Sequence, residues 1–306
     1  MSESIRPLEA GVWGILATPF RGDDLEIDHE SLANLVEHYR KVGARGVVAL
    51  GVLGEAARLS SAERQDVLRT VIGAARDMSV VAGMSATSTA PAVEEAQRAA
   101  EAGARAVMVP VPVGDASRLA RHLESIHRAS GLGIVVQDHP AATAVTIAPP
   151  ALAEAVRSAA CAVAVKAEAP PTAPAVAAIT AVTDVPVFGG LGGVNLLDEL
   201  AAGSAGAMTG FAVPEALVAT VRAWQESGYA AARDAYAPWM PLVLFESQDK
   251  ISLALRKEIL RRRGLIREAA VRLPGLAMPD SMRQVLDAHL GAMPSDLLVI
   301  TPVSAQ

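Results

Sequence analysis

Eight short runs rich in valine, alanine and isoleucine recur through the first two thirds of this 306-residue chain. Their spacing is about 28 residues, the length of one strand followed by one helix. The runs are apolar on both faces, which is typical of parallel strands covered by helices. They begin near Val12, Gly46, Val80, Ala106, Gly133, Cys161, Val185 and Gly206. Eight such units predict a (β/α)₈ barrel, the TIM barrel of the α/β class, rather than an open sheet.

Glycines and a capping pair mark the predicted helix boundaries. A glycine precedes three of the runs, at Gly43, Gly103 and Gly203. Each can adopt the left-handed turn that ends a helix before the chain enters the sheet. Ser60 and Glu63 have the spacing of a capping box, so a helix should begin there.

The pattern changes after the eighth run, where helical segments follow one another at residues 214–227, 230–247, 250–263 and 279–290. The first completes the barrel, and the others form a C-terminal helical extension. We therefore predict a barrel over residues 1–228, an extension packed on it over residues 229–292 and a loosely held tail at residues 293–306. The basic cluster at residues 256–263 is interpreted as a solvated helix face or a subunit contact.

Charge and composition argue against several classes of partner. The net charge of −6 disfavours nucleic acid and anionic membrane surfaces. No stretch reaches the roughly 18 apolar residues of a membrane span, and the first ten residues lack the apolar core of a signal peptide. Cys161 is the only cysteine, so no intrachain disulfide forms and a cytoplasmic location is expected. The six histidines do not pair with acids at metal-ligand spacing, so neither a metal nor another cofactor is expected.

Lys166 is the residue that most strongly indicates a chemistry. It is one of four lysines, and it closes the apolar run that begins at Cys161. An amine can lose its proton and form a Schiff base with a carbonyl compound, whereas a guanidinium cannot. In a barrel of this kind the active site lies at the carboxyl ends of the strands, so Lys166 would point into the barrel mouth. The alternative is a lysine that extends from the sheet rim to water.

Three motifs resemble those of the dihydrodipicolinate synthase / N-acetylneuraminate lyase family. They are Ala-Thr-Pro-Phe at residues 17–20, Gly-x-x-Gly-Glu at residues 51–55 and the lysine of the sixth strand, in this order and spacing. The resemblance extends to about residue 290. It implies a class I lyase in which Lys166 forms an imine with pyruvate or another 2-oxo acid. It also implies a homo-oligomer, either a dimer or a tetramer.

Gln137 and three other strand-end segments are the expected substrate-binding surface. The first contains Gly51, Val52 and Leu53, where the family usually has two hydroxyl residues. A carboxylate would therefore be held there by backbone N–H groups. Gly190 belongs to a glycine-rich segment after the seventh strand, which either makes room for a substrate tail or cradles a phosphate. Met208 lies at the end of the eighth strand.

The chain also departs from the family where the family relays protons. The family's strand-five tyrosine falls at Gln137, and its second relay tyrosine falls within residues 111–114, which contain no tyrosine. The arginine that binds the aldehyde substrate of dihydrodipicolinate synthases falls near Ala142. These departures argue against dihydrodipicolinate synthesis itself.

Glu168 and His139 are the candidates to replace the missing tyrosines. Each lies two residues beyond another strand-end residue, Lys166 or Gln137, and should share its face. The segment at residues 166–172 resembles the branch that dehydrates 2-keto-3-deoxy sugar acids. Loss of a general acid/base costs roughly 10²–10⁴ in rate, so a replacement is expected. Glu168 could instead be a charge at a helix N-terminus, and His139 could only hydrogen-bond a loop.

The sequence therefore predicts a Schiff-base lyase that acts on a small-molecule 2-oxo acid through Lys166. The favoured reaction is dehydration of a 2-keto-3-deoxy sugar acid. A pyruvate-dependent aldolase or synthase of the dihydrodipicolinate synthase type is an alternative. A second alternative is a non-catalytic protein that binds a 2-oxo acid, because both tyrosines and both loop hydroxyls are missing.

Overall fold

Eight parallel strands close into a barrel in this computed structural model, which describes residues 5–294 and Leu297. Each strand pairs with its neighbours along the chain, and the eighth pairs with the first. The strands are β1 Gly11–Ile15, β2 Gly46–Ala49, β3 Ser79–Gly83, β4 Ala106–Pro110, β5 Gly133–Asp138, β6 Ala162–Ala167, β7 Val187–Gly189 and β8 Gly206–Thr209. The predicted (β/α)₈ barrel is confirmed.

A helix follows each strand, and three more helices form the C-terminal extension. The barrel helices are α1 His29–Lys41, α2 Ser61–Ala75, α3 Thr89–Ala102, α4 Ala116–Ser130, α5 Pro149–Ser158, α6 Thr172–Thr180, α7 Leu196–Ala201 and α8 Pro214–Tyr236. The extension contains α9 Met240–Glu246, α10 Ser252–Arg262 and α11 Arg283–Gly291. A one-turn helix at Pro140–Thr143 follows β5. Within the described residues no helix is both long and apolar enough to cross a membrane.

The apolar runs locate the strand starts to within two residues, and the largest offset is at the seventh strand. The run there begins at Val185, whereas β7 begins at Val187. Pro186 stands between them and has no N–H to donate to a strand ladder. Its carbonyl accepts from the Val165 N–H at 2.9 Å, so the chain already lies beside β6 before the regular strand begins.

The predicted helix boundaries are confirmed where a glycine turn or a capping box sets them. Gly43, Gly103 and Gly203 have φ angles of 86°, 96° and 99°, in the left-handed region that favours glycine. Ser60 and Glu63 form the expected capping box at the start of α2. These features depend on neighbouring residues alone, so a sequence pattern is enough to find them.

The C-terminal helices differ from prediction in one respect. Residues 230–247 were expected to form one helix, but their first part continues α8 across a kink at Gly228 (φ 75°, ψ −161°). A 3₁₀ turn, Ala237–Trp239, then separates α8 from α9. Pro238 explains the break, because proline fits the first turn of a helix and not its interior. The predicted barrel boundary falls at this kink. Most of the predicted tail at residues 293–306 lies outside the described residues.

Buried charged contacts link the extension to the loop after β2, and the Arg272 N–H also donates to the Glu55 carboxylate, at 3.0 Å. Lys257 of α10 is fully buried, and its Nζ lies 2.5 Å from the Glu55 carboxylate and 2.7 Å from the Ala270 carbonyl oxygen. The Phe20 ring lies 4.3 Å from the same Nζ. Burial lowers the pKa of Lys257 to about 8, although Glu55 opposes that change. The extension therefore holds in place the loop that begins at Gly51.

Candidate active site

A cavity of about 490 Å³ opens at the carboxyl ends of the barrel strands. Its volume is within the range of about 300–1,000 Å³ that is usual for small-molecule sites. Lys166 lies one residue before the end of β6, and its register partner on β5 is Gln137. Both side chains line the cavity, together with Glu168 and His139. The structure thus brings together all three predicted catalytic residues.

The Glu168 carboxylate lies at the centre of this group. Its Oε1 is 3.2 Å from Lys166 Nζ. Its Oε2 accepts a hydrogen bond from Gln137 Nε2 at 2.7 Å. His139 Nδ1 is 3.8 Å from Oε2, too far for a hydrogen bond. Glu168 is thus placed to exchange a proton with the Lys166 amine, while Gln137 orients the carboxylate.

Opposing effects act on the Glu168 carboxyl. Burial raises its pKa, but the nearby Lys166 and His139 and the Gln137 hydrogen bond together hold the pKa below its usual value. The resting site therefore contains a carboxylate rather than a carboxylic acid at neutral pH. A carboxylate beside an ammonium can accept a proton and later return it, which is the property that general acid/base catalysis requires.

Two further carboxyls are buried around Glu168. Burial raises the pKa of Asp138, at the end of β5, to about 6, and the charge of Glu168 adds to the effect. Burial raises the pKa of Glu199, on α7, to about 7, and Glu168 again acts in the same direction. Glu199 was not among the residues predicted from sequence. Among residues 5–294 no group of three or more His, Cys, Asp and Glu side chains is arranged to hold a metal ion.

The glycine-rich segment after β7 makes room for two of these acids. A Cβ placed on Gly190 would overlap the Glu168 side chain, and one placed on Gly189 would overlap the Glu199 carboxylate. Gly190, predicted to bind substrate, is buried and packs against Glu168. The consecutive glycines are the sequence signal that could have indicated closely packed neighbours, although the pattern does not say which ones.

The other predicted substrate-binding residues are placed differently from one another. Val52 and Leu53 line the cavity, and the Val52 side chain is largely exposed. Gly51 is buried beneath them and lines an adjoining cavity. Met208 is fully buried in the barrel interior. Thr209 lines the cavity instead, and its hydroxyl oxygen accepts from the Gly192 N–H at 2.9 Å.

The far wall of the cavity comes from the C-terminal extension. It contains Ser247, Asp249, Ser252 and Arg256. The basic cluster at residues 256–263 was interpreted as a solvated face or a subunit contact, and for part of it that interpretation is wrong. Arg256 is 4% exposed because it faces the barrel mouth. Periodicity alone did not show that α10 docks there.

The fold and the site define a (β/α)₈ barrel with a buried lysine–glutamate pair at the carboxyl end of its sixth strand. The chain belongs to the dihydrodipicolinate synthetase family, whose sequence profile matches residues 9–293. The resemblance drawn from the three motifs is therefore confirmed.

Two similar proteins cover the chain almost completely. An L-2-keto-3-deoxyarabonate dehydratase from Azospirillum brasilense is 26% identical, over 94% of this chain and 95% of its own length. The crystal structure of dihydrodipicolinate synthase from Rhodopseudomonas palustris has a TM-score of 0.88 and 30% identity, and the alignment covers 95% of this chain and 99% of that one.

The curated synthases match over a shorter span. A 4-hydroxy-tetrahydrodipicolinate synthase from Methanothrix thermoacetophila is 34% identical over 146 residues, which is 47% of this chain and 49% of that protein. The chain thus spans about half the length of the curated synthases that it matches.

Proposed function

We propose that this protein is a Schiff-base lyase that acts on a 2-oxo acid through Lys166. The observation that carries the proposal is the buried pair of Lys166 and Glu168, 3.2 Å apart in a cavity at the barrel mouth. Membership of the dihydrodipicolinate synthetase family supports it. The Lys166 amine is the nucleophile, and the Glu168 carboxylate is its proton acceptor.

The first steps form the imine. The Lys166 ammonium gives a proton to Glu168, and the free amine attacks the carbonyl carbon of the 2-oxo acid. Glu168 then returns the proton to the carbinolamine hydroxyl, which leaves as water while the C=N bond forms. The imine nitrogen is an electron sink, because it accepts the electron pair released when a proton leaves the neighbouring carbon.

The favoured reaction of the imine is dehydration of a 2-keto-3-deoxy sugar acid. Glu168, a carboxylate again after imine formation, accepts a proton from C3, and an enamine forms. It then returns that proton to the C4 hydroxyl, which leaves as water and gives an unsaturated imine that hydrolysis releases from Lys166. The leaving hydroxyl needs an acid close to the lysine, and Glu168 is the group so placed. The dehydratase that aligns with almost the whole chain supports this choice.

The alternative is a pyruvate-dependent aldolase or synthase, which the similarity to synthases favours. Product analysis distinguishes the two reactions. A dehydratase converts one substrate into one product and water, whereas an aldolase gives or consumes two carbonyl fragments. The absence of tyrosine from position 137 and from residues 111–114 weighs against a synthase.

Borohydride trapping tests the proposed imine. With pyruvate or a 2-keto-3-deoxy sugar acid, reduction should add the mass of the ligand at Lys166, located by peptide mass spectrometry. Lys166→Met should abolish the addition, while Lys41→Met, at an exposed lysine on α1, should not. An unmodified protein across several 2-oxo acids would refute the Schiff-base proposal. Thermal stabilisation without covalent capture would support the non-catalytic binder instead.

We also propose that the chain assembles as a homodimer or homotetramer and acts in the cytoplasm. The family resemblance motivates the oligomer, and exposed apolar side chains such as Val182 and Leu244 are available for contacts between copies. Light scattering coupled to size-exclusion chromatography measures the assembly, and a monomer at micromolar concentration would contradict it.

A further inference from the structure

Arg256 is a buried cation with an unused donor at the edge of the proposed active site. The residue is 4% exposed and lies on α10, in the wall that the extension contributes to the cavity. Its Nε donates to the Glu246 carboxylate. Its Nη1 is buried and has no hydrogen-bond partner among the described residues. Buried polar groups are normally paired, so this N–H at the border of the cavity is a donor available to a ligand.

The surroundings of Arg256 are built to hold its guanidinium in place. Glu246 accepts from Arg256 through one oxygen and from the Ala212 N–H, at 2.9 Å, through the other. A Cβ on Gly210 would lie 2.6 Å from Arg256 Nη1. The guanidinium therefore fits there only because Gly210 has no side chain. The Cβ placed on Gly210 would also lie 2.9 Å from the side chain of Leu53, which lines the cavity. Nη1 therefore lies beside the loop that borders the site.

We propose that Arg256 is a substrate-binding residue that donates to the hydroxyl-bearing tail of the 2-oxo acid. The inference rests on the proposed function for the other end of the ligand, where Lys166 forms the imine. The wall that contains Arg256 also presents Ser247, Asp249 and Ser252 to the cavity. Hydroxyl groups of a sugar acid can accept from Arg256 and donate to Asp249, so this wall matches a polyhydroxylated chain.

Charge distinguishes a hydroxylated tail from a second carboxylate. The positive charge of Arg256 is already matched by Glu246, with which it forms a buried ion pair. Asp249 adds a negative charge to the same wall. A carboxylate on the tail would meet little net attraction there and would lie near a like charge. A neutral hydroxyl needs only the free N–H, so the site favours a monocarboxylic sugar acid.

The test compares a ligand that has a tail with one that lacks it. Half-saturating concentrations of a 2-keto-3-deoxy pentonate and of pyruvate are measured by borohydride trapping and by calorimetry. The double variant Arg256→Gln with Glu246→Gln removes the donor without leaving a buried charge unpaired. The ratio of the two concentrations, sugar acid over pyruvate, should rise about tenfold to a hundredfold, the effect of one charged hydrogen bond.

Two other variants make the comparison specific. Arg261→Gln changes an arginine on the same helix that is 39% exposed and paired with Glu258, and it should leave the ratio unchanged. If circular dichroism shows that the double variant does not fold, Arg256→Lys takes its place. A lysine keeps the charge beside Glu246, but it lacks the planar guanidinium that donates to Glu246 and to the ligand at once. The ratio of sugar acid to pyruvate concentrations should therefore still rise.

Four results would overturn the inference. One is a ratio that stays within about threefold of the unaltered protein's. Another is an equal loss for both ligands, which makes Arg256 structural. The third is tighter binding of 2-oxoglutarate than of the pentonate, which assigns a carboxylate to the subsite. If nothing is trapped at Lys166, the proposed function fails, yet calorimetry of non-covalent binding still measures the ratio. The fourth overturning result is an unaltered protein that does not bind the pentonate.

Discussion

Replacing Glu168 with glutamine tests the proton-transfer role that the site geometry suggests. The amide keeps the size of the side chain and can still accept from Gln137, which now lies 2.7 Å from the carboxylate. It cannot exchange a proton with Lys166, 3.2 Å away. Loss of a general acid/base lowers a rate about 10²–10⁴-fold. We therefore expect turnover to fall by that factor, or about 3–5 kcal/mol in activation free energy.

Imine formation should suffer much less than turnover. Water that enters the open cavity can carry the protons of imine formation in place of Glu168, whereas expulsion of the C4 hydroxyl needs an acid held at that position. The assay therefore has two arms, steady-state product formation and the rate of borohydride-trapped mass at Lys166. Turnover should fall at least about a hundredfold, while the trapping rate should stay within about tenfold of the unaltered protein's.

Controls separate this role from a structural one. Glu154→Gln, on the outer face of α5 and 50% exposed, should change neither arm. Thermal unfolding must accompany the kinetics, because breaking a buried pair can cost about 3–5 kcal/mol of stability. Turnover within about threefold of the unaltered protein would refute the reasoning. Equal losses in turnover and trapping would show that Glu168 only holds the site together.

Two further substitutions have separate readouts. The pKa of Glu199 is raised from 4.5 to about 7 in the folded state, so the unfolding free energy should fall by up to about 3 kcal/mol as the pH rises from 5 to 8. Glu199→Gln should remove that fall in urea titrations, and equal pH slopes in both proteins would contradict it. Gly190→Ala should displace the Glu168 carboxylate and lower turnover about tenfold or more. Gly73→Ala, where a Cβ meets open space, is its control, and equal turnover in the two variants would exclude displacement.

The strands and most helix ends were predictable because their causes are local. An apolar run of four to six residues has to be buried on both faces, and a glycine such as Gly103 supplies the left-handed turn before the next strand. The order of strands followed from the number of units, since eight βα units close a ring. The single helix expected at residues 230–247 was wrong because Pro238 interrupts it.

The core of the candidate site was predictable for the same reason. Lys166 and Gln137 lie near the ends of adjacent strands, and Glu168 and His139 follow those strands. Parallel strands bring their carboxyl ends to one rim. Period-2 alternation then places Glu168 on the same face as Lys166. The sequence by itself therefore determined the fold and the placement of the lysine and glutamate that we propose as nucleophile and acid/base.

Only the tertiary structure decided what surrounds that pair. Arg256 lies 90 residues from Lys166 along the chain, and the position of α10 at the barrel mouth depends on buried contacts such as Lys257 with Glu55. Glu199 lies against Gly189 because two elements pack without room for a Cβ. Neither the position of Arg256 nor that of Glu199 can be predicted from hydrophobic periodicity or from a sequence motif. Close packing between distant segments depends on the shapes of both, and a sequence pattern describes only one segment at a time.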